Sequence, residues 1–171
     1  MRRKGIAAHE PPDHKGDSVI WLTPPNILSQ LGMFTLDPCA APSPRPWPTA
    51  LRHIELPEDG LTATWSGRVW LNPPYDETTH QWMQRMAHHQ NGTALTFART
   101  ETELWQKWIF PFCKALLFIS GRLWFRYPNG TKGPYSAGAP SVLIAYSDFD
   151  VKILKTCGIA GGFCIPEKRH Q

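Results

Sequence analysis

At 171 residues, with 42% hydrophobic residues and eight tryptophans, the chain is long enough for one buried core and short for a two-domain enzyme. Its formal charge of +4 is mildly basic and fits an anionic partner. No apolar run approaches the ~20 residues of a membrane span. Met1 to Asp17 lacks the apolar stretch of a signal peptide, and Cys39, Cys113, Cys157 and Cys164 show neither a CxxC pair nor zinc-like spacing. The expectation is a cytoplasmic protein with reduced thiols, no metal and no membrane contact.

Residues 1–17 are polar, with Pro11-Pro12 and scattered charge, and read as a disordered basic arm. Arg2, Arg3 and Lys4 either touch phosphates or belong to an inert tail. A single domain is expected over 18–166, with 167–171 as a frayed tail.

Val19 to Leu22 leads into Thr23-Pro24-Pro25, where Thr23 suits an N-cap, Pro24 the first helical turn and Gly32 the stop. A short capped helix explains the pattern. Met33 to Leu36 reads as a strand, ended by Asp37-Pro38-Cys39. Residues 42–66 are broken by Pro42, Pro44, Pro46, Pro48 and Pro57 and read as loop, closed by an Asp59-Gly60 turn signal.

Val69-Trp70-Leu71 is a short buried strand that stops at Asn72-Pro73-Pro74-Tyr75. Neither proline has an N–H for a sheet ladder, and each restricts the residue before it to extended dihedrals. The result is a stiff elbow carrying an amide, a bare carbonyl and an aromatic ring. The Asn72 side-chain oxygen and the Pro73 main-chain oxygen can both accept hydrogen bonds from one planar amine. Tyr75 offers a face on which a base can stack. An ordinary Asn-Pro turn is the alternative.

Thr79 to Gln90 places Trp82, Met83, Met86 and Ala87 at helical spacing, a core stripe, with His88 and His89 solvated at its end. Thr93 to Ala98 is a buried strand. Thr100 and Glu103 match a capping box for a helix that Pro111 ends, while Arg99 is within reach of a phosphate or a base. Ala115 to Ile119 is a further strand, and Gly121 to Phe125 another. The basic and aromatic loop 126–138, with Arg126, Lys132 and Tyr135, has the content of a nucleic-acid contact, as does Arg122 beside it; a plain surface loop has the same pattern. Val142 to Tyr146 is a strand, Asp150 to Thr156 a helix and Gly162 to Ile165 a last strand.

Asn-Pro-Pro-Tyr after an apolar strand resembles the catalytic motif of amino-group methyltransferases that use S-adenosylmethionine. The order of Trp-x-Thr-Pro (21–24), Leu-Asp-Pro-Cys-Ala (36–40), Asp-Gly-Leu (59–61), Asn-Pro-Pro-Tyr (72–75), Arg-Thr-Glu-Thr-Glu (99–103), Gly-Arg-Leu-Trp-Phe (121–125) and Gly-Ala-Pro-Ser-Val-Leu-Ile-Ala-Tyr (138–146) resembles the small phage-type DNA N-6-adenine methyltransferases. The likeness spans residues 19–147. It implies an α/β chain with a trimmed Rossmann-like methyltransferase fold, a mostly parallel twisted sheet with helices on both faces.

The same likeness implies methyl transfer from S-adenosylmethionine to N6 of an adenine flipped out of double-stranded DNA, by a monomer or weak dimer in a bacterial host, encoded by a phage or prophage. Asn72, Pro73, Pro74 and Tyr75 would be catalytic. Trp21, Thr23, Asp37, Pro38, Cys39 and Asp59 would meet the cofactor, with Glu55 and Glu58 as weaker alternatives to Asp59. Arg99, Arg122, Arg126 and Lys132 would meet DNA. The loop after Asp37 departs from the family pattern in lacking glycine. Three other readings stand beside this one: methylation of RNA or a protein glutamine, a Pro-Cys nucleophile at Cys39 acting on cytosine, and a DNA-binding protein on a decayed methyltransferase fold.

Overall fold

Alternation along the strands divides the apolar residues between two layers. Val69 and Leu71 point into one cluster with Leu116, Val142 and Ile144; Trp70 points into the other with Leu95, Leu117 and Leu143. A computed structural model describes residues 20–167. The expected basic arm and residues 168–171 of the expected tail lie outside the described residues.

The order is α1 (Pro25–Leu31), β1 (Leu36–Asp37), β2 (Arg52–His53), β3 (Val69–Leu71), α2 (Thr79–His89), β4 (Gly92–Phe97), a π-helical turn (Trp105–Ile109), β5 (Ala115–Ile119), β6 (Ser141–Ala145), α3 (Asp148–Thr156) and β7 (Gly161–Cys164). They form one seven-stranded sheet in the order β2-β1-β3-β4-β6-β5-β7.

The expected mostly parallel sheet is corrected to a mixed one. The β1–β2, β1–β3 and β3–β4 ladders are parallel, while β4–β6, β5–β6 and β5–β7 are antiparallel and longer. These pairings leave β1 to β5 running the same way and β6 and β7 reversed.

Four local expectations also change. The segment 121–125 is not a strand; between β5 and β6 the chain forms isolated bridges, of Arg126 with Leu22 and with Lys132. Arg52–His53 forms a two-residue edge strand within the stretch read as loop. The N-cap of α1 is Pro24 and not Thr23, without a side-chain cap. The Thr100–Glu103 capping box does not form: Glu103 pairs with Lys107, and the backbone N–H groups of Trp105 and Gln106 donate to Thr102 O instead.

One core lies between the sheet and α2 with the π-turn, where Met83, Met86, Trp105 and Ile109 are fully buried. The other holds Ile27, Leu28 and Leu31 of α1 and Leu154 of α3 against the opposite face. Helical elements therefore cover both faces. The Trp/Met stripe of α2 is core, as its spacing predicts. His88 and His89 are not simply solvated: His89 hydrogen-bonds Gly67 O at 2.8 Å, and His88 sits edge-on to Trp108. Each large side chain removed from water contributes roughly 1.5–3 kcal/mol. No described helix is long and apolar enough to cross a membrane.

Candidate active site

Because β1 to β5 run the same way, the chain leaves all five at one edge of the sheet. The segments following Asp37, His53, Leu71, Phe97 and Ile119 gather there. The strand order steps from β1 outward to β2, then back across to β3. Such a reversal opens a crevice between the ends of the two central strands, where ligands of open α/β sheets bind. The Asp37-Pro38-Cys39 loop forms one lip of this crevice and the Asn72–Tyr75 elbow the other.

The elbow is held from behind. Thr79 Oγ1, at the start of α2, donates to Pro74 O at 2.5 Å, and the Asp76 N–H donates back to Thr79 Oγ1 at 3.1 Å. The Pro73 carbonyl accepts no hydrogen bond among the described residues. Tyr75 Oη donates to Asn72 Oδ1 at 3.2 Å. The Tyr75 ring stacks on Phe97, the last residue of β4, at 4.3 Å between centroids and 22° between planes, and Phe125 stands edge-on to it. Beside Tyr75 lies a cavity of about 320 Å³, lined among others by His80, Thr96, Phe97, Arg99 and Trp105.

The other lip is built around a carboxylate. Asp37 is buried; its Oδ1 accepts the Cys39 N–H at 3.1 Å and its Oδ2 accepts the Thr49 hydroxyl. Among the described residues it makes no ion pair. Burial outweighs those hydrogen bonds and the more distant Arg45, and its pKa is pushed up to about 6. Cys39 Sγ donates to the Asn72 main-chain oxygen at 3.3 Å, so the two lips touch. Burial, with the Asp37 charge beside it, pushes the Cys39 thiol well above its ordinary range. A thiol held protonated is a poor nucleophile, which argues against cytosine chemistry at this residue.

Glycine is missing after Asp37 but arrives from another loop. A Cβ at Gly60 would lie 1.7 Å from Pro38 O, so the Asp59–Gly60 turn packs backbone to backbone on the Asp37 loop. Asp59 is brought to the same lip, with Oδ1 accepting the Leu61 N–H at 2.8 Å. Glu55 follows β2, where doubly wound folds often place an acid for ribose hydroxyls; here it is paired with Arg45 and Ser43. Glu58, in contrast, pairs with Arg52 on the surface.

The N-terminal segment joins through the loop after β5. Leu22 and Arg126 exchange backbone hydrogen bonds at 2.8 and 2.9 Å. Trp21 stacks on Tyr127 at 5.1 Å. Thr23 is buried, and its Oγ1 has no hydrogen-bond partner. Arg99 lines the Tyr75 cavity, exposed Lys132 lies 3.8 Å over the exposed Trp124 ring, and Arg122 is exposed on the same edge. Arg126 is half-buried, its Nε without a partner.

The structure thus gathers Asp37, Pro38, Cys39, Asp59, Asn72, Pro73, Pro74 and Tyr75 around one crevice. Trp21 instead stands against Tyr127, and Thr23 follows the Leu22–Arg126 backbone pairing. Sequence reasoning missed Thr49, which sits in a proline-rich stretch without periodicity, and Phe97, whose only signal was an aromatic at a strand's end. Among the described residues, no cluster of three or more His, Cys, Asp or Glu could hold a metal ion.

No curated protein and no solved structure matches the chain. The sequence model of the DNA N-6-adenine-methyltransferase (Dam) family matches residues 10–156, most of its length. The order of elements, the elbow and that match agree: the chain belongs to the DNA N-6-adenine-methyltransferase (Dam) family.

Proposed function

We propose that the chain uses S-adenosylmethionine to methylate N6 of an adenine flipped out of double-stranded DNA, on a trimmed Rossmann-like fold in the cytoplasm of a bacterial host. Adenine N6 is engaged in base pairing, so the base must leave the stack to react. The Asn72 Oδ1 and Pro73 O acceptors then hold the two amine hydrogens. They draw the nitrogen lone pair out of ring conjugation and aim it, so rate comes from orientation and fixed dipoles. Neither oxygen is a base at neutral pH, so the amine enters neutral and, once methylated, gives its extra proton to water. Tyr75 stacks on the base, and the cavity beside it takes the flipped nucleotide. Arg99, Arg122, Arg126 and Lys132 meet the phosphates.

Asp37, Pro38 and Asp59 hold the cofactor on the opposite lip. One feature of that lip fits a cationic ligand: the buried Asp37 carboxylate, without an ion-pair partner among the described residues. When bound, S-adenosylmethionine supplies an electrophilic methyl on its sulfonium.

The observation that carries this reading is the open Pro73 carbonyl on the same rigid elbow as Asn72 Oδ1. Purified protein, methyl-labelled S-adenosylmethionine and bacterial DNA test it. The labelled DNA is digested to nucleosides and separated. Label in N6-methyldeoxyadenosine is expected; label in a methylcytosine, or transfer only to RNA or protein, overturns the reading.

A further inference from the structure

The catalytic elbow and the cofactor lip belong to different strands, and the prolines that stiffen the elbow leave it few backbone hydrogen bonds of its own. Pro73 and Pro74 have no N–H to give. Behind the elbow, Thr79 fixes Pro74 O. Across the crevice, Cys39 Sγ donates to the Asn72 main-chain oxygen at 3.3 Å. Cys39 is itself fixed, since its N–H donates to Asp37 Oδ1, whose partner oxygen accepts the Thr49 hydroxyl. A continuous hydrogen-bonded chain therefore runs Thr49–Asp37–Cys39–Asn72, and through the Asn72 side chain to Tyr75 Oη. It crosses the point where the strand order reverses.

We propose that Cys39 is a positioning residue for methyl transfer, its thiol holding the Asn72 backbone at a fixed separation from the Asp37 loop. The inference rests on the proposed function, and it assigns Cys39 a task other than cofactor contact or nucleophile. The thiol is suited to this work. It is a weak donor that keeps its proton, because burial and the neighbouring Asp37 disfavour the thiolate. Asn72 O lies one residue before the open Pro73 carbonyl, so a shift at Asn72 displaces both amine acceptors together. Preorganised sites are sensitive to such shifts, which act on the transition state more than on ground-state binding.

The test compares full-length wild type, Cys39→Ser and Cys39→Ala by three measurements: kcat, cofactor Kd, and hydrogen exchange of the backbone amides from Tyr75 to Thr79. Serine keeps a donor at this position and alanine removes it. For Cys39→Ala the expected result is a three- to tenfold lower kcat, about the worth of one net hydrogen bond. Cofactor Kd should stay within about twofold and elbow exchange should quicken, with Cys39→Ser recovering most of both losses.

The proposal is overturned if Cys39→Ala leaves elbow exchange and kcat at wild-type values, or if Cys39→Ser fails as badly as Cys39→Ala. It is also overturned if Cys39→Ala weakens cofactor binding while saturated kcat is intact, since Cys39 would then be a cofactor contact. The exchange readout needs no turnover. Faster exchange in Cys39→Ala, restored in Cys39→Ser, on a wild-type protein that transfers no methyl group, would sink the methyltransferase reading and leave the strut standing.

Discussion

Tyr75 Oη donates its hydrogen to Asn72 Oδ1 at 3.2 Å, so the tyrosine occupies the acceptor that the mechanism reserves for the adenine amine. The hydroxyl must give way when the base arrives, whereas the ring face is needed throughout. Tyr75→Phe removes the competitor and keeps the face. It should change kcat/KM by no more than a few fold, with any change in KM toward tighter DNA binding. Tyr75→Ala should lose base stacking of ~1–3 kcal/mol, roughly 5- to 150-fold in kcat/KM. Steady-state kinetics on a duplex substrate distinguish the two; equal losses would make the hydroxyl, not the ring, the working part.

Asn72 is tested by removing its oxygen. Asn72→Ala should fold and bind cofactor normally yet lose ~10²–10³ in kcat, the effect of removing one preorganised polar group. Asn72→Asp keeps an acceptor oxygen at this position, so it should retain appreciable activity where Asn72→Ala does not. A drop in activity that only follows the folded fraction in Asn72→Ala would reduce Asn72 to a turn residue.

The Asp37 carboxylate makes a prediction about pH. Its pKa rises from 3.8 to about 6 on folding, because burial disfavours the ion. The folded state therefore holds a proton that the unfolded state has released, and stability from this group falls as pH rises from about 4 through about 6. The full effect is roughly 3 kcal/mol. Chemical unfolding of ligand-free protein across that window should show the slope, and Asp37→Asn should flatten it. A cation at the site stabilises the ion, so S-adenosylmethionine should bind more tightly as pH rises through 6, releasing a proton that calorimetry in buffers of different ionisation heat detects. Equal affinity at pH 5 and pH 7.5 would place the cofactor's charge elsewhere. Asp59→Ala should separately cost ~1.5–3 kcal/mol of cofactor binding, one charged hydrogen bond.

Gly60 tests the packing of the two loops. A methyl there overlaps Pro38 O, so Gly60→Ala must displace one loop. It should lower stability by roughly 1–3 kcal/mol and weaken cofactor binding with it. Thermal unfolding and calorimetry measure the two effects; a variant as stable as wild type would mean that the turn shifts freely.

What was legible in the chain follows from which signals are local. Val69-Trp70-Leu71 ended by two prolines could only be a short buried strand and an elbow, and β3 is that strand. The Trp82–Met83–Met86 stripe carried its own period. Strand direction is not local. Ser141–Ala145 is apolar whichever way it runs, so its antiparallel insertion between β4 and β5 was invisible. Gly121 to Phe125 had the composition of a strand, but the side of β5 not paired with β6 is taken by β7. In the candidate site, the elbow was readable because proline chemistry dictates it. The pairs Asp37–Thr49, Cys39–Asn72 and Gly60–Pro38 join residues far apart in sequence and depend on the assembled sheet.

The central claim is that Asn72 and Pro73 present an adenine amine for methylation, and one measurement bears on it most directly. DNA from cells expressing wild type, or Asn72→Ala at equal protein level, is sequenced with detection of modified bases. The account predicts N6-methyladenine at a defined sequence with wild type and a near-complete loss of it with Asn72→Ala. Modified cytosine, no modified base with wild type, or N6-methyladenine undiminished in the variant would contradict it.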